Sequence, residues 1–389
     1  MTVSPVIVAA VRTPIGKRDG ALAGLKAVEL LEHVLVEVIR QAGIEPGEVE
    51  QIIGGCVTQA GEQSLNVTRN AWLNTGLDYG VACTTVDVSC GSAQQANHLV
   101  AALIAAGVID VGIGCGVESM SRVPMGVNFR NGPGHYKTKN YSWDDPRGGQ
   151  FGGAERIARR EGLSRTEIDA YGLRSQDRAA AAWAAGRFDR EVVPIPAPAP
   201  SSDGASTNSL TVDRDEGLRA SSMSDLAGLP PTIDGGLHTA ATTSQVSDGA
   251  AAVLWMSERK ARALGIRPRG RLLHQLVTGA DPYYLLDGPA VATGQILDRA
   301  GMSLPDIDLY EINEAFAAVV LSWARAHKAD LDRTNVNGGA IALGHPMGAT
   351  GARLVVSALH ELERTGRETA LIAMCCGGSL GTASILQRM

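Results

Sequence analysis

Apolar positions along the chain fall into two kinds of pattern. Short β-branched runs bounded by glycine predict strands, and segments with apolar residues three and four apart predict helices. The amino-terminal part carries "PVIVAAVRT" (5–13), "VEQIIGGCV" (49–57) and "TTVDVSC" (84–90), then a helical "GSAQQANHLVAALIAAG" (91–107) and the run "VIDVGIGCGVESM" (108–120). The carboxy-terminal part carries "GRLLHQLVTGA" (270–280), "DIDLYEINEAFAAVVLSWARA" (306–326), "TNVNGGAIALGHP" (334–346), a helical "GATGARLVVSALHELERTG" (348–366) and "TALIAMCCGG" (369–378). Strands alternating with helices predict an α/β protein. Both parts follow one plan: a β-branched strand enters a glycine-containing turn, a helix follows, and a second strand ends in Gly and Cys.

The middle breaks this pattern. From 119 to 250 the chain is rich in Gly, Pro, Ser and Asn, with a helical stretch at 154–188 between two irregular regions. "PIPAPAPSSDGASTNS" (194–209) reads as an exposed connection, because proline cannot donate to a ladder and serine favours turns. A long excursion from a compact fold is more often functional than idle, so it is expected to be a lid or ligand-binding region.

Composition narrows the classes. The 389 residues are 44% hydrophobic, enough for a large core, and the net charge of −6 argues against general nucleic-acid binding. The stretch 122–147 is locally basic, with Arg122, Arg130, Lys137, Lys139 and Arg147 against Asp144 and Asp145. It reads either as a solvated loop or as an anion-facing or subunit-contacting one. "VIVAAV" (6–11) is too short for a signal segment or a membrane span, which gives the expectation of a cytoplasmic protein. Cysteines at 56, 83, 90, 115, 375 and 376 form no CxxC pair, so reduced thiols and no metal site are expected.

Four places carry candidate chemistry. Cys90 closes a strand and opens a helix, where unpaired N–H groups are expected to lower a thiol's pKa; the alternative is a small buried hydrophobe. His345, in "GGAIALGHPMGATG", is held in a rigid glycine-flanked turn suited to a general base, whereas His33, His98, His327 and His360 lie in helical patterns. "YEINEAFA" (310–317) places Asn313 and Glu314 at a strand's end, either as a helix cap or as an amide that orients a water or a carbonyl oxygen. "GGSLG" (377–381) matches the serine-hydrolase elbow at Ser379, but the remaining chain has no histidine, so the match reads as accidental. Cys375 and Cys376, adjacent on a strand, point to opposite faces, so at most one serves a common cleft.

Taken together and in order, these segments resemble the thiolase family. "VSCGSA" around Cys90 is similar to its nucleophile motif, "NEAFA" (313–317) to its asparagine motif, "GHPMGATG" (344–351) to its histidine motif, and "MCCGGSLGTA" (374–383) to its final cysteine-glycine motif. In that last motif the cysteine directly after methionine is the catalytic one, which selects Cys375. The likeness covers essentially the whole chain, including "VRTPIGK" and "SDGAAAVLWMS" (247–257).

The resemblance implies two halves, each a five-stranded mixed sheet with helices, in α-β-α-β-α layers, with an inserted loop domain. The boundaries expected are 1–118 with 249–269, 119–248 for the loop domain over the site, and 270–389. It also implies a dimer or tetramer that cleaves 3-oxoacyl-CoA with CoA as co-substrate and no metal or bound cofactor. Cys90 would attack and His345 would take its proton. Cys375 would protonate the departing enolate, or act as base in the reverse condensation. One oxyanion site would combine His345 with a water on Asn313, and the other the N–H groups of Cys90 and Gly377. Ser244 and Phe316 match positions along the pantetheine arm, and Arg219 a CoA-contacting arginine.

One departure stands out. Where many members carry Met-Gly before Thr-Ala-Glu, this chain has "GGQFGGAERIA" (148–158), and glycines there are expected to widen the acyl pocket. That suggests a degradative enzyme for larger chains, similar to actinobacterial members acting on sterol-derived esters. The alternatives are a biosynthetic acetoacetyl-CoA thiolase, a decarboxylating condensing enzyme of the ketoacyl synthase type, and a non-catalytic acyl-CoA binding protein.

Overall fold

The computed structural model describes residues 3–130, 137–199 and 209–389. The amino-terminal sheet has five main strands, β1 (Pro5–Arg12), β2 (Gln51–Gly55), β3 (Ala82–Val86), β4 (Val111–Ser119) and β5 (Ser247–Ser257), and the two-residue strand Gly16–Lys17 pairs with β5. The order of the main strands is β3-β2-β4-β5-β1, parallel across β3, β2 and β4 and antiparallel beyond. The carboxy-terminal sheet repeats the arrangement with β6 (Gly270–Gly279), β7 (Leu309–Ile312), β8 (Thr369–Cys376) and β9 (Leu380–Arg388), in the order β7-β8-β9-β6. The β7/β8 pair is parallel and the other two are antiparallel.

The expected fifth strand of this half is reduced to an isolated parallel bridge between Tyr310 and Thr334. Asn335 explains the short pairing: its side chain takes the Ile312 N–H and donates to the Ile312 carbonyl, standing in for ladder bonds. The two sheets meet edge to edge at one pair, Ile7 with Gly270.

Helices sort into three layers by the width of their apolar faces. On the outer side of the first sheet, α1 (Ala27–Ala42) buries Leu30, Leu31, Val34, Leu35 and Val38, spaced three and four apart, against Val6, Val8 and Leu254. Two helices lie between the sheets: α2 (Ser92–Ala105) and a long carboxy-terminal helix (Met347–Thr365) buried along its whole circumference from Met347 to Leu362. The long helix is buried all round although it carries Arg353, His360 and Glu361, and Val100, Val355 and Leu359 pack in this layer with Trp255 of one sheet and Met374 of the other. The outer layer of the second sheet holds helices Gly288–Ala300 and Ala317–His327, whose Ile296 and Trp323 pack with Leu371 and Ile385. The α-β-α-β-α layering anticipated from the sequence is therefore present.

Between β4 and β5 the chain leaves the layers. It forms helix α3 (Gln150–Arg160), helix α4 (Arg165–Ala184) and the hairpin Ile195–Pro198 with Ser209–Val212. Arg12 ties this excursion to β1, with Nε 2.7 Å from Glu191 and an amino nitrogen 2.7 Å from Asp215, all buried. In the basic stretch, Arg122 pairs with Glu62 and Lys137 with Asp145; residues 131–136 lie outside the described residues.

Candidate active site

The turn before α2 presents Cys90 in a constrained pose. Ser89 has φ of 47°, a left-handed conformation unusual for serine, and Asp87 fixes it by accepting the Ser89 N–H at 2.7 Å. Ser92 closes the turn, accepting the Val88 N–H at 2.9 Å and donating to the Ser89 carbonyl at 2.6 Å. Cys90 is 2% exposed. Burial pushes its pKa up to about 12, while the N–H groups of Gly377 and of Cys90 itself pull it down. The expected lowering at a helix start is thus overturned: desolvation outweighs the backbone dipoles, and Cys90 rests as a thiol that needs a base.

Cys375 and Cys376 end β8 with opposite orientations. Leu371, Ala373 and Cys375 share the outer face, while Ile372, Met374 and Cys376 share the central layer. Burial first, and then the neighbouring Cys90 sulfur, hold the Cys375 thiol well above its usual range. Gly377 follows at the hairpin turn, and a Cβ there would come within 2.8 Å of Ser89 Oγ, so a side chain would separate this backbone from the Cys90 turn. Ser379 lies in the same hairpin with φ of 60° and, among the described residues, its side chain makes no hydrogen bond to an imidazole.

His345 is clipped by hydrogen bonds on both sides. Its N–H donates to Ser247 Oγ at 3.0 Å, and its Nδ1 lies 2.6 Å from Thr350 Oγ1. The Thr350 hydroxyl spends its proton on the Pro346 carbonyl at 2.9 Å, so it accepts from Nδ1–H and leaves the lone pair on Nε2. Nε2 is buried without a partner among the described residues. Burial lowers the pKa of His345 to about 3, with Arg353 adding to the effect, so the imidazole is a neutral acceptor.

Asn313 lies directly after β7, its N–H bonded to Ala373 of β8 at 3.0 Å. Both atoms of its side-chain amide are buried without a partner among the described residues, the pattern of a group kept for something that binds. Glu314 is fully engaged instead, accepting from the hydroxyls of Tyr171 (2.9 Å) and Ser175 (2.6 Å), the Asn335 amide (3.0 Å) and the Ile341 N–H (3.1 Å). Neither caps a helix, since the following helix begins at Ala317 with Phe316 as its cap residue.

Phe316 is 4% exposed and sits between two edge-on rings, Phe151 at 5.2 Å and His238 at 5.6 Å. Ser244 is half-buried, and its N–H donates to the Ala315 carbonyl at 3.0 Å, which brings it to the Asn313–Phe316 turn. Arg219 is exposed, and its guanidinium reaches the Ala240 carbonyl at 3.3 Å.

Of the glycines expected to widen the acyl pocket, Gly148 and Gly149 have room around them, whereas Gly152 and Gly153 are closely packed. A Cβ on Gly152 would lie 1.9 Å from the Arg147 carbonyl oxygen, and one on Gly153 would lie 2.7 Å from that of Tyr284. They are used for close backbone packing, and Phe151 fills the position between them and Gln150. Besides Thr350, Ser247 and Ser89, sequence reasoning missed Glu118, whose place in "GVESM" next to a strand gave no separate signal.

A buried thiol at a helix start, a second buried thiol from the other half, a neutral imidazole and an unsatisfied amide are the groups an acyl-transferring enzyme uses. Residues 5–259 match the thiolase N-terminal domain and residues 266–388 the thiolase C-terminal domain, so the chain belongs to the thiolase family. It is 42% identical to a steroid 3-ketoacyl-CoA thiolase of Mycobacterium tuberculosis, over 98% of this chain and 94% of that protein. It is 40% identical to an acetyl-CoA acetyltransferase of Chromobacterium violaceum, over 98% and 99%. The crystal structure of a Bacillus anthracis acetyl-CoA acetyltransferase superposes with a TM-score of 0.91 at 36% identity, covering 100% of this chain and 99% of that one. Human mitochondrial 3-ketoacyl-CoA thiolase gives 0.89 at 34%, with the same coverage. Among the described residues, no helix is long and apolar enough to cross a membrane, and no His, Cys, Asp or Glu cluster could hold a metal ion.

Proposed function

We propose that the protein cleaves 3-oxoacyl-CoA with a second CoA, giving acetyl-CoA or propionyl-CoA and a shortened acyl-CoA through an acyl group on Cys90. His345 Nε2 takes the Cys90 proton as the sulfur attacks the ketone carbon. The bond between the α and β carbons breaks, the electron pair passes into the thioester enolate, and Cys375 delivers the proton that neutralises it. The proton held by His345 passes to the Cys375 thiolate, which restores both groups. His345 then takes the proton of the incoming CoA thiol, the CoA sulfur displaces the acyl group, and His345 returns the proton to the departing Cys90 thiolate. The N–H groups of Cys90 and Gly377 face the oxygen of the carbon under attack, and Asn313 with His345 faces the enolate oxygen. What supports this reading is the approach of the turn after Cys375 to the Cys90 turn, where a Cβ on Gly377 would lie 2.8 Å from Ser89 Oγ. Brief incubation with acetoacetyl-CoA followed by intact mass analysis tests it: an acetyl group on Cys90 is expected, and an unmodified chain defeats the reading.

We infer further that 119–248 forms the loop domain over the site and that CoA lies along Ser244, Phe316 and Arg219, beside the halves 1–118 with 249–269 and 270–389. Similarity to the mycobacterial steroid thiolase supports a degradative role on larger acyl chains, although the glycines of α3 do not. Strand β3 is an open sheet edge, and Leu65 and Tyr79 nearby are 88% and 80% exposed, which supports a homodimer or homotetramer. A cytoplasmic location fits reduced, free cysteines.

A further inference from the structure

Glu118 belongs to no step above, yet it is completely buried at the end of β4. Each of its oxygens accepts two bonds, all at 2.9 Å: Oε2 from the N–H groups of Val57 and Gly348, and Oε1 from the Thr58 N–H and the Gln63 side-chain amide. Gln63 cannot turn over to offer its oxygen, because that oxygen already takes the Ser119 N–H at 2.7 Å. Every neighbour is thus a donor, and only the carboxylate satisfies all four; an amide or a protonated acid would set donor against donor.

The position of Gly348 gives this network a consequence. It lies three residues after His345, in the first turn of the long carboxy-terminal helix, whereas Val57, Thr58 and Gln63 belong to the amino-terminal half. Ser247, on the neighbouring strand β5, holds the His345 N–H. Glu118 and Ser247 sit on paired strands in the middle of the amino-terminal sheet, with Glu118 opposite Gly249, so these two strands grip the histidine turn of the other half at both ends. The same sheet is followed by the Cys90 turn, and the Glu118 charge is felt at the Cys90 thiol.

We propose that Glu118 is a positioning residue that fixes the His345 turn to the amino-terminal half and so sets the imidazole against Cys90. The inference rests on His345 being the base. It assigns a role to "GVESM" that neither the strand pattern nor the chemistry of the site required.

A double-mutant cycle of E118A with H345A, read by steady-state thiolysis of acetoacetyl-CoA, tests it. E118A is expected to lower kcat by about 10–100-fold with KM for CoA within about twofold of the parent. In the H345A background the same change is expected to cost less than about threefold, since a residue acting through His345 has nothing left to position. Equal losses in both backgrounds, or parental kcat in folded E118A, overturn the proposal. If E118A does not fold, E118Q, which keeps the volume and one acceptor oxygen, is read in the same cycle by the same criteria. Parental kcat in H345A removes the base assignment, and Glu118's role with it; a normal H345A defect with additive losses removes only the role of Glu118.

Discussion

His345 Nδ1 and Thr350 Oγ1 lie 2.6 Å apart, and the direction of that bond decides which ring nitrogen carries the proton. The Pro346 carbonyl consumes the threonine proton, so the hydroxyl receives Nδ1–H and Nε2 is left basic. T350V keeps the shape but removes the acceptor, and the freed Nδ1–H costs the ring its orientation. A fall in kcat of about tenfold or more is expected, with T350S staying within about threefold of the parent. Steady-state thiolysis separates the cases; a T350V enzyme as fast as the parent would show that the bond does not choose the tautomer.

Two thiols divide the reaction between them, and the division is measurable. Moving an acetyl group between two CoA molecules needs Cys90 and His345 but forms no carbanion, whereas cleaving a carbon–carbon bond needs a proton donor as well. C375A is therefore expected to lose about 10²–10⁴-fold in acetoacetyl-CoA thiolysis while exchanging labelled CoA into acetyl-CoA within about tenfold of the parent. Equal loss of both reactions would place Cys375 in the acylation step instead.

The repeated strand-and-helix plan was legible in the sequence because parallel strands buried on both faces read as continuous apolar runs, as in "TALIAMCC". Cys375 was separable from Cys376 for a similar reason, since alternation along a strand is a local rule. What could not be read were the long-range consequences of burial. The sign of the Cys90 shift depends on how completely the second sheet and the long carboxy-terminal helix exclude water, which no neighbouring residue announces. The glycines at 152 and 153 looked like open space, and only the approach of the Arg147 and Tyr284 carbonyls shows that they are filled. Glu118 stayed silent because its partners Val57, Gln63 and Gly348 are scattered along the chain and offer mainly backbone N–H groups.

The close approach of Gly377 to Ser89 gives a steric prediction. An alanine Cβ at 377 would meet Ser89 Oγ at 2.8 Å and Ser89 Cβ at 3.2 Å, and the relief of that contact moves the 377 N–H away from Cys90. Loss of one oxyanion donor costs about 10²–10³-fold in kcat, so G377A is expected to fall in that range. Removing the hydroxyl in a G377A/S89A pair takes away the tighter contact, and recovery of about tenfold is expected. Kinetics of the single and paired variants check this; no recovery in the pair would mean that the loss comes from the hairpin and not from the meeting with Ser89.

Buried histidines make the fold sensitive to mild acid. His98 bridges the halves through Ser384 at 2.6 Å, and burial lowers its pKa to about 3; His345 is lowered to about 3 and His360 to about 4, burial being the leading cause each time. An unfolded chain protonates the same rings near the ordinary value of about 6.5. For a group depressed on folding, the unfolded state binds more protons between the two values, so stability rises with pH across that window and is lost as pH falls below about 6.5. Each ring contributes a slope of up to about 1.4 kcal/mol per pH unit there. Glu311, which burial raises to about 8, opposes this trend over the same range. H98N, which removes one titrating ring and keeps a polar partner for Ser384, is expected to change the slope of denaturant unfolding from pH 7 to pH 5 by up to about 1.4 kcal/mol per pH unit in the flattening direction. An unchanged slope in H98N would show that this ring already carries its proton in the folded protein.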